Sequence, residues 1–163
     1  MDTPSPLLSP LPNTKKCFAC GLENPAGLAL KMETDGSVLR ARFVPQPIHA
    51  GFAHAVHGGI LTTALDEIMA WAIIAATKRP AYSAEITVRF NRPVKVGDET
   101  LVTGEVTANR RNRLFETRAE IRDSAGNVCA SAIGKYLPLS SVETEMALQD
   151  FEPEARSYFA PSS

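Results

Sequence analysis

Between residues 60 and 77 nearly every position is aliphatic, aromatic or Ala, interrupted only by Thr62, Thr63, Asp66 and Glu67. A helix that is apolar nearly all round is a buried one, so this stretch predicts a core helix. His57-Gly58-Gly59 opens it, and Lys78-Arg79-Pro80 stops it. Beyond it the period becomes two: Ala84, Ile86, Val88 and Phe90 share one face, with Glu85, Thr87, Arg89 and Asn91 on the other. Residues 93–98 turn the chain, and 101–108 form the next strand. Residues 115–122 read as a half-buried strand whose outer face carries charges of alternating sign. Residues 123–127 turn again, and 128–137 close the sheet. Ahead of the helix, residues 28–33 alternate, Asp35-Gly36 supplies a hairpin turn, and 38–44 form a second strand. Short connections make the late strands an antiparallel meander. One helix cannot cover a sheet on both faces, so an α+β domain is expected in which the sheet curls around its helix.

At 163 residues the chain is long enough for a single substantial core. Residues 1–16 hold Pro4, Pro6, Pro10 and Pro12 and read as a disordered or extended arm, 17–139 as the domain, and 140–163 as an acidic tail with a short helix near 143–150. A net charge of -1 offers no bulk attraction for nucleic acid or an anionic membrane surface. The basic turn at 109–113 contains no aromatic residue on which a base could stack. Asp66 and Glu67 interrupt the best candidate for a membrane span, and no basic segment followed by an apolar one marks a secretory signal, so the cytoplasm is the expected compartment. Cys17-Phe18-Ala19-Cys20 has the gap of half a zinc site, but a structural site needs four ligands and no second pair exists. A turn or packing role is therefore expected for it, and no metal. Cys129, in an alternating run, reads as a small buried hydrophobe.

Chemistry is expected along the helix. Glycines at its mouth expose backbone N–H groups that the first turn cannot satisfy, backed by the positive end of the helix dipole, and such a site suits a developing oxyanion. Asp66 places a carboxylate in an apolar helix, where its burial asks for a compensating role. Gly58 and Asp66 are eight residues apart, which at helical rise is about 12 Å. No single carbonyl carbon reaches both, so a shared reaction requires two subunits.

With His-Gly-Gly, six further residues and Asp66 on a long apolar helix, a following strand at 83–90 and the turn Pro93-Val94-x-x-Gly97-Asp98, the chain resembles the hotdog-fold acyl-CoA thioesterases, and within them the phenylacetate-degradation-type branch. The resemblance covers roughly residues 17–138 and includes an opening Cys-Phe-x-Cys-Gly-x-x-Asn-Pro-x-Gly-Leu motif running from Cys17 to Leu28. It implies a curled antiparallel sheet of five to six strands around one long helix, a homodimer or dimer of dimers with sites at the subunit interface, and hydrolysis of acyl-CoA without a cofactor. Carried over by position, Asp66 is general base or nucleophile, Gly58 the oxyanion donor, His57 the motif histidine and Ser83 a strand hydroxyl that helps position water. Glu67 is the rival carboxylate. Many relatives carry Asn or Gln where this chain has Gly51, so water positioning passes to Gln46, His49 or His54. Gly59 joins the substrate-binding backbone, while Arg110 or Arg111 is the candidate for a coenzyme A phosphate. His49, His54 and His57 fall in one loop and are expected to hydrogen-bond backbone at the rim of the site. A non-catalytic acyl-CoA-binding module on the same fold is the competing reading.

Overall fold

The computed structural model describes residues 8–159. The strands are β1 (Ser9–Pro10), β2 (Glu33–Thr34), β3 (Leu39–Phe43), β4 (Ala81–Phe90), β5 (Thr100–Arg110), β6 (Leu114–Asp123) and β7 (Val128–Pro138). They make one antiparallel sheet in the order β1-β2-β3-β5-β6-β7-β4. Five long or medium strands thus match the expected count, and two two-residue strands extend it to seven. Helix α1 (Gly58–Thr77) crosses between β3 and β4, which lie on opposite sides of the sheet. Leu65, Ile68, Met69 and Ile73 on α1 are fully buried against Val102, Phe115, Ile121 and Ala130 of the sheet. By length and composition α1 could cross a bilayer; here the strands wrap it as the core helix.

The helix ends follow from local chemistry. His57, in an extended conformation, caps the start, and Lys78 takes a left-handed conformation at the end before Pro80 forbids continuation. Gly104 on β5 sits where an added Cβ would lie 3.0 Å from the Ile68 carbonyl oxygen, so its lack of a side chain sets how closely helix and sheet approach. On β6 the expected alternation is found, with Phe115, Thr117, Ala119 and Ile121 buried.

Two expectations are corrected. The alternating stretch 28–33 is not a strand, apart from Glu33. Leu28, Leu30 and Met32 are buried, but Ala29 adopts a positive φ of 49° that breaks the extended run. The backbone bonds instead go to loop partners, from Leu28 N to Phe18 O and from Leu30 N to Ala19 O. On β4 the register shifts between Ser83 and Glu85, taking Ala84 out of the inward set, and Phe90 is 52% exposed. The face is apolar as expected, yet within one chain it is only half covered.

Helices α2 (Ser141–Leu148) and α3 (Pro153–Arg156) follow the sheet. Ser140 and Glu143 cap α2 reciprocally. The segment then returns to the core: Phe151 and Phe159 are buried, stack edge-on at 4.9 Å, and pack on Trp71 of α1. Phe151→Ala should cost about 3–5 kcal/mol by removing a buried ring from this cluster. Chemical denaturation measures it, and a loss under about 0.5 kcal/mol would mean that the segment contributes nothing to the core.

Candidate active site on the central helix

The helix entry is built backward from His57. Its backbone N–H donates to the His49 carbonyl at 3.0 Å, and its Nδ1 accepts from the Gly59 N–H at 2.9 Å. The Ile60 N–H turns back to the His57 carbonyl at 2.9 Å. Among the described residues, no acceptor meets the Gly58 N–H. A single donor at the positive end of a 20-residue helix is thus left for a ligand. The Phe90 ring lies against Gly58, 3.3 Å from where a Cβ would stand.

His49 is buried and committed to the scaffold. Its Nδ1 accepts from the Gln46 N–H at 3.0 Å, and its ring tilts against Phe43. Gln46 turns its amide to the Val44 carbonyl, and His54, exposed with a positive φ of 66°, offers its carbonyl to Val96. These three shape the loop. Gly51 explains why no amide stands there: a Cβ would lie 2.9 Å from His57 Cα.

Asp66 sits two turns into α1, half buried. The Tyr136 hydroxyl donates to its Oδ1 at 2.7 Å and reaches its main-chain carbonyl at 3.2 Å. Burial, and after it the Asp66 charge, pushes the phenol well above its usual range, so it remains a proton donor. Tyr136 is fully buried on β7, and Gly134 gives its ring room, since a Cβ there would lie 2.6 Å from the Tyr136 ring. Sequence reasoning missed Tyr136, whose inward place on an alternating strand is that of any core aromatic. Ser83 pairs directly with Tyr136 across β4 and β7 and so lies at the Asp66 end of the sheet. Thr62 and Thr63 turn their hydroxyls onto the carbonyls of Gly58 and Gly59 one turn back.

Two sets of residues therefore stand apart in one chain: His57, Gly58, Gly59 and Phe90 at one end, Asp66, Tyr136 and Ser83 toward the other. Glu67 joins neither. It accepts from Trp71 Nε1 at 2.9 Å and faces Cys17 and Cys20. Burial, then the Cys17 charge, raises its carboxyl to about 7. Arg110 pairs with Glu116 at 2.7 Å, and Arg111 occupies the left-handed turn between β5 and β6, at the end of the sheet remote from Gly58.

With this geometry in view, the likenesses to known proteins are informative. The family model described as the thioesterase superfamily matches residues 53–130, a span that includes His57, Gly58 and Asp66. No curated protein gives a significant match. Among solved structures, a thioesterase superfamily protein superposes with a TM-score of 0.70 at 24% identity, covering 76% of this chain; the chain spans 63% of that protein's length. The PaaI protein from the E. coli phenylacetic acid degradation operon superposes at 0.63 and 20% identity, over 69% of this chain and 81% of its own. A Streptococcus mutans protein bound to acetyl-CoA superposes at 0.60 and 15% identity, over 64% and 82%. The fold is the hotdog fold of these proteins.

Restoring an amide by Gly51→Asn should destabilise the protein by about 1–3 kcal/mol, because the new Cβ presses on the His57 backbone rather than on a yielding side chain. Thermal denaturation reads this directly. Unchanged stability would show that the loop has space for the amide.

Proposed function

We infer that this member of the thioesterase superfamily hydrolyses acyl-CoA thioesters as a homodimer, or a dimer of dimers, with its sites between chains. The observation that carries the reading is the Tyr136–Asp66 hydrogen bond, which orients a carboxylate inside an otherwise apolar helix. Tyr136 occupies Oδ1, and among the described residues no protein donor reaches Oδ2, which is left to hold water. Asp66 accepts a proton as that water's oxygen bonds to the thioester carbon. The carbonyl electrons move onto oxygen, where the Gly58 N–H and the helix dipole stabilise them. Collapse of the intermediate breaks the C–S bond, and the departing coenzyme A sulfur takes the proton back from Asp66. The products are the free acid and coenzyme A, and no cofactor enters.

The shared site requires a second chain, and β4 is suited to supply it. It is a ten-residue strand at the sheet edge, a form that pairs readily with another edge. Tyr82 and Phe90 are 48% and 52% exposed on it. Two β4 edges paired antiparallel about their middles set the Phe90 end of one beside the Ser83 end of the other. Gly58 travels with Phe90, and Asp66 with Tyr136, the neighbour of Ser83. The partner subunit's Gly58 is thereby carried toward Asp66. The likeness to a protein bound to acetyl-CoA supports coenzyme A thioesters as the substrate class.

Gly51 favours one competing reading. The packing at that position excludes the amide that many relatives carry there, which is what a binding module without hydrolysis would tolerate. Thiol release over short-, medium- and aromatic-acyl-CoA panels separates the two, because a binder retains the thioester intact. Asp66→Asn should lower turnover by about 10²–10⁴ with the dimer intact, the range of a lost general base. Tyr136→Phe, which removes one hydrogen bond to a charged group, should lower it by about tenfold to 100-fold. Full activity in a folded Asp66→Asn dimer would remove that residue from the chemistry.

A further inference from the structure

Outside this site, the segment Cys17-Phe18-Ala19-Cys20-Gly21 forms a tight knuckle over the middle of α1. The Gly21 N–H donates to the Cys17 carbonyl at 2.9 Å, and there is no space for a side chain at Gly21, where a Cβ would fall 2.5 Å from Cys17 N. The turn brings both sulfurs to one side. The Ala19 N–H points at Cys17 Sγ from 3.3 Å, the arrangement that stabilises a thiolate. The knuckle is anchored from outside as well: Asn13 Nδ2 donates to the carbonyls of Cys20 and Leu30, each at 3.0 Å.

The fold supplies what the two-residue gap lacks. Glu67, fifty residues along the chain, puts Oε1 3.7 Å from Cys17 Sγ, and one ligand atom from each of Cys17, Cys20 and Glu67 lies within 4.8 Å of the others. A tetrahedral zinc site, with Zn–S near 2.3 Å and Zn–O near 2.0 Å, has an S···O edge of about 3.5 Å. The cluster is close to that size before any ion draws it together. We propose that Cys17, Cys20 and Glu67 bind a thiophilic divalent cation, zinc, which clasps the N-terminal knuckle to α1.

Three features support the assignment. Two thiolates and one carboxylate select zinc over magnesium or calcium, which prefer all-oxygen sites. Trp71 Nε1 already holds Glu67 Oε1 at 2.9 Å, the kind of outer hydrogen bond that orients a ligating carboxylate. The trio also consists of three acidic groups crowded within 4.8 Å of one another, an arrangement in which they cannot all ionise without a cation. Zinc satisfies all three at once and leaves a fourth position to water. The site lies one residue along α1 from Asp66 yet faces a different element, Glu67 turning to the cysteine knuckle and Asp66 to Tyr136.

The test uses the reduced full chain with added zinc or cobalt and needs no activity. Inductively coupled plasma mass spectrometry should find about one zinc per chain after desalting. Cobalt should give the thiolate charge-transfer and tetrahedral ligand-field bands of a mixed sulfur–oxygen site. Of the three cysteines, zinc should shield Cys17 and Cys20 from a thiol reagent in native protein. Cys20→Ser should abolish the cobalt bands, and Trp71→Phe should weaken zinc binding by about 10–100-fold. The wild-type measurements need no substitution. Absence of zinc with no cobalt–thiolate band, or a Cys17–Cys20 disulfide that forms equally with and without zinc, would overturn the proposal.

Discussion

The axial rise of α1 fixes the distance between the amide at its mouth and the carboxylate in its middle, about 12 Å for eight residues. A hydrogen-bonded helix packed on five strands cannot shorten that distance. Chemistry that needs an oxyanion donor and a base on one carbonyl must therefore draw them from two helices. The rest of the molecule is consistent with this demand. The apolar face of β4 is half covered, Phe90 beside Gly58 is exposed and Asp66 is half-buried, which leaves room for the proposed second chain.

Close backbone approach is the means by which the fold sets its distances. Gly104 lets α1 settle on β5, Gly134 makes room for the Tyr136 ring, and Gly51 lets the histidine-bearing loop close on His57. The first sets where Asp66 lies, the second lets Tyr136 reach it, and the third positions the helix entry. The two ends of the candidate site are thus held by packing of the scaffold, and the Gln46 N–H donates to His49 Nδ1 within the loop.

Periodicity made α1, the meander β5-β6-β7 and the inward face of β6 legible, because each burial pattern repeats within a few residues. Asp66 and Gly58 stand out in the sequence because a carboxylate and paired glycines are conspicuous in an apolar run, and their proposed roles rest on that and on their geometry. Residues 28–33 misled because buried alternation is shared by strands and by loops pinned at alternate side chains, and the positive φ of Ala29 leaves no mark in composition. Tyr136 was hidden among core aromatics. The partnership of Glu67 with Cys17 and Cys20, and of Phe151 and Phe159 with Trp71, depends on contacts far apart in the chain, which no local pattern encodes.

Mixing two inactive variants addresses the shared site most directly. Asp66→Ala removes the proposed base. Gly58→Pro removes the N–H at a first-turn position that tolerates proline, preceded by an extended His57. If each site draws on both chains, a mixed dimer holds one intact site and one doubly defective site, so an equal mixture should recover about a quarter of wild-type turnover after subunit exchange. If each chain carried a complete site of its own, no mixed dimer would contain an intact one, and the mixture would stay as inactive as its parents.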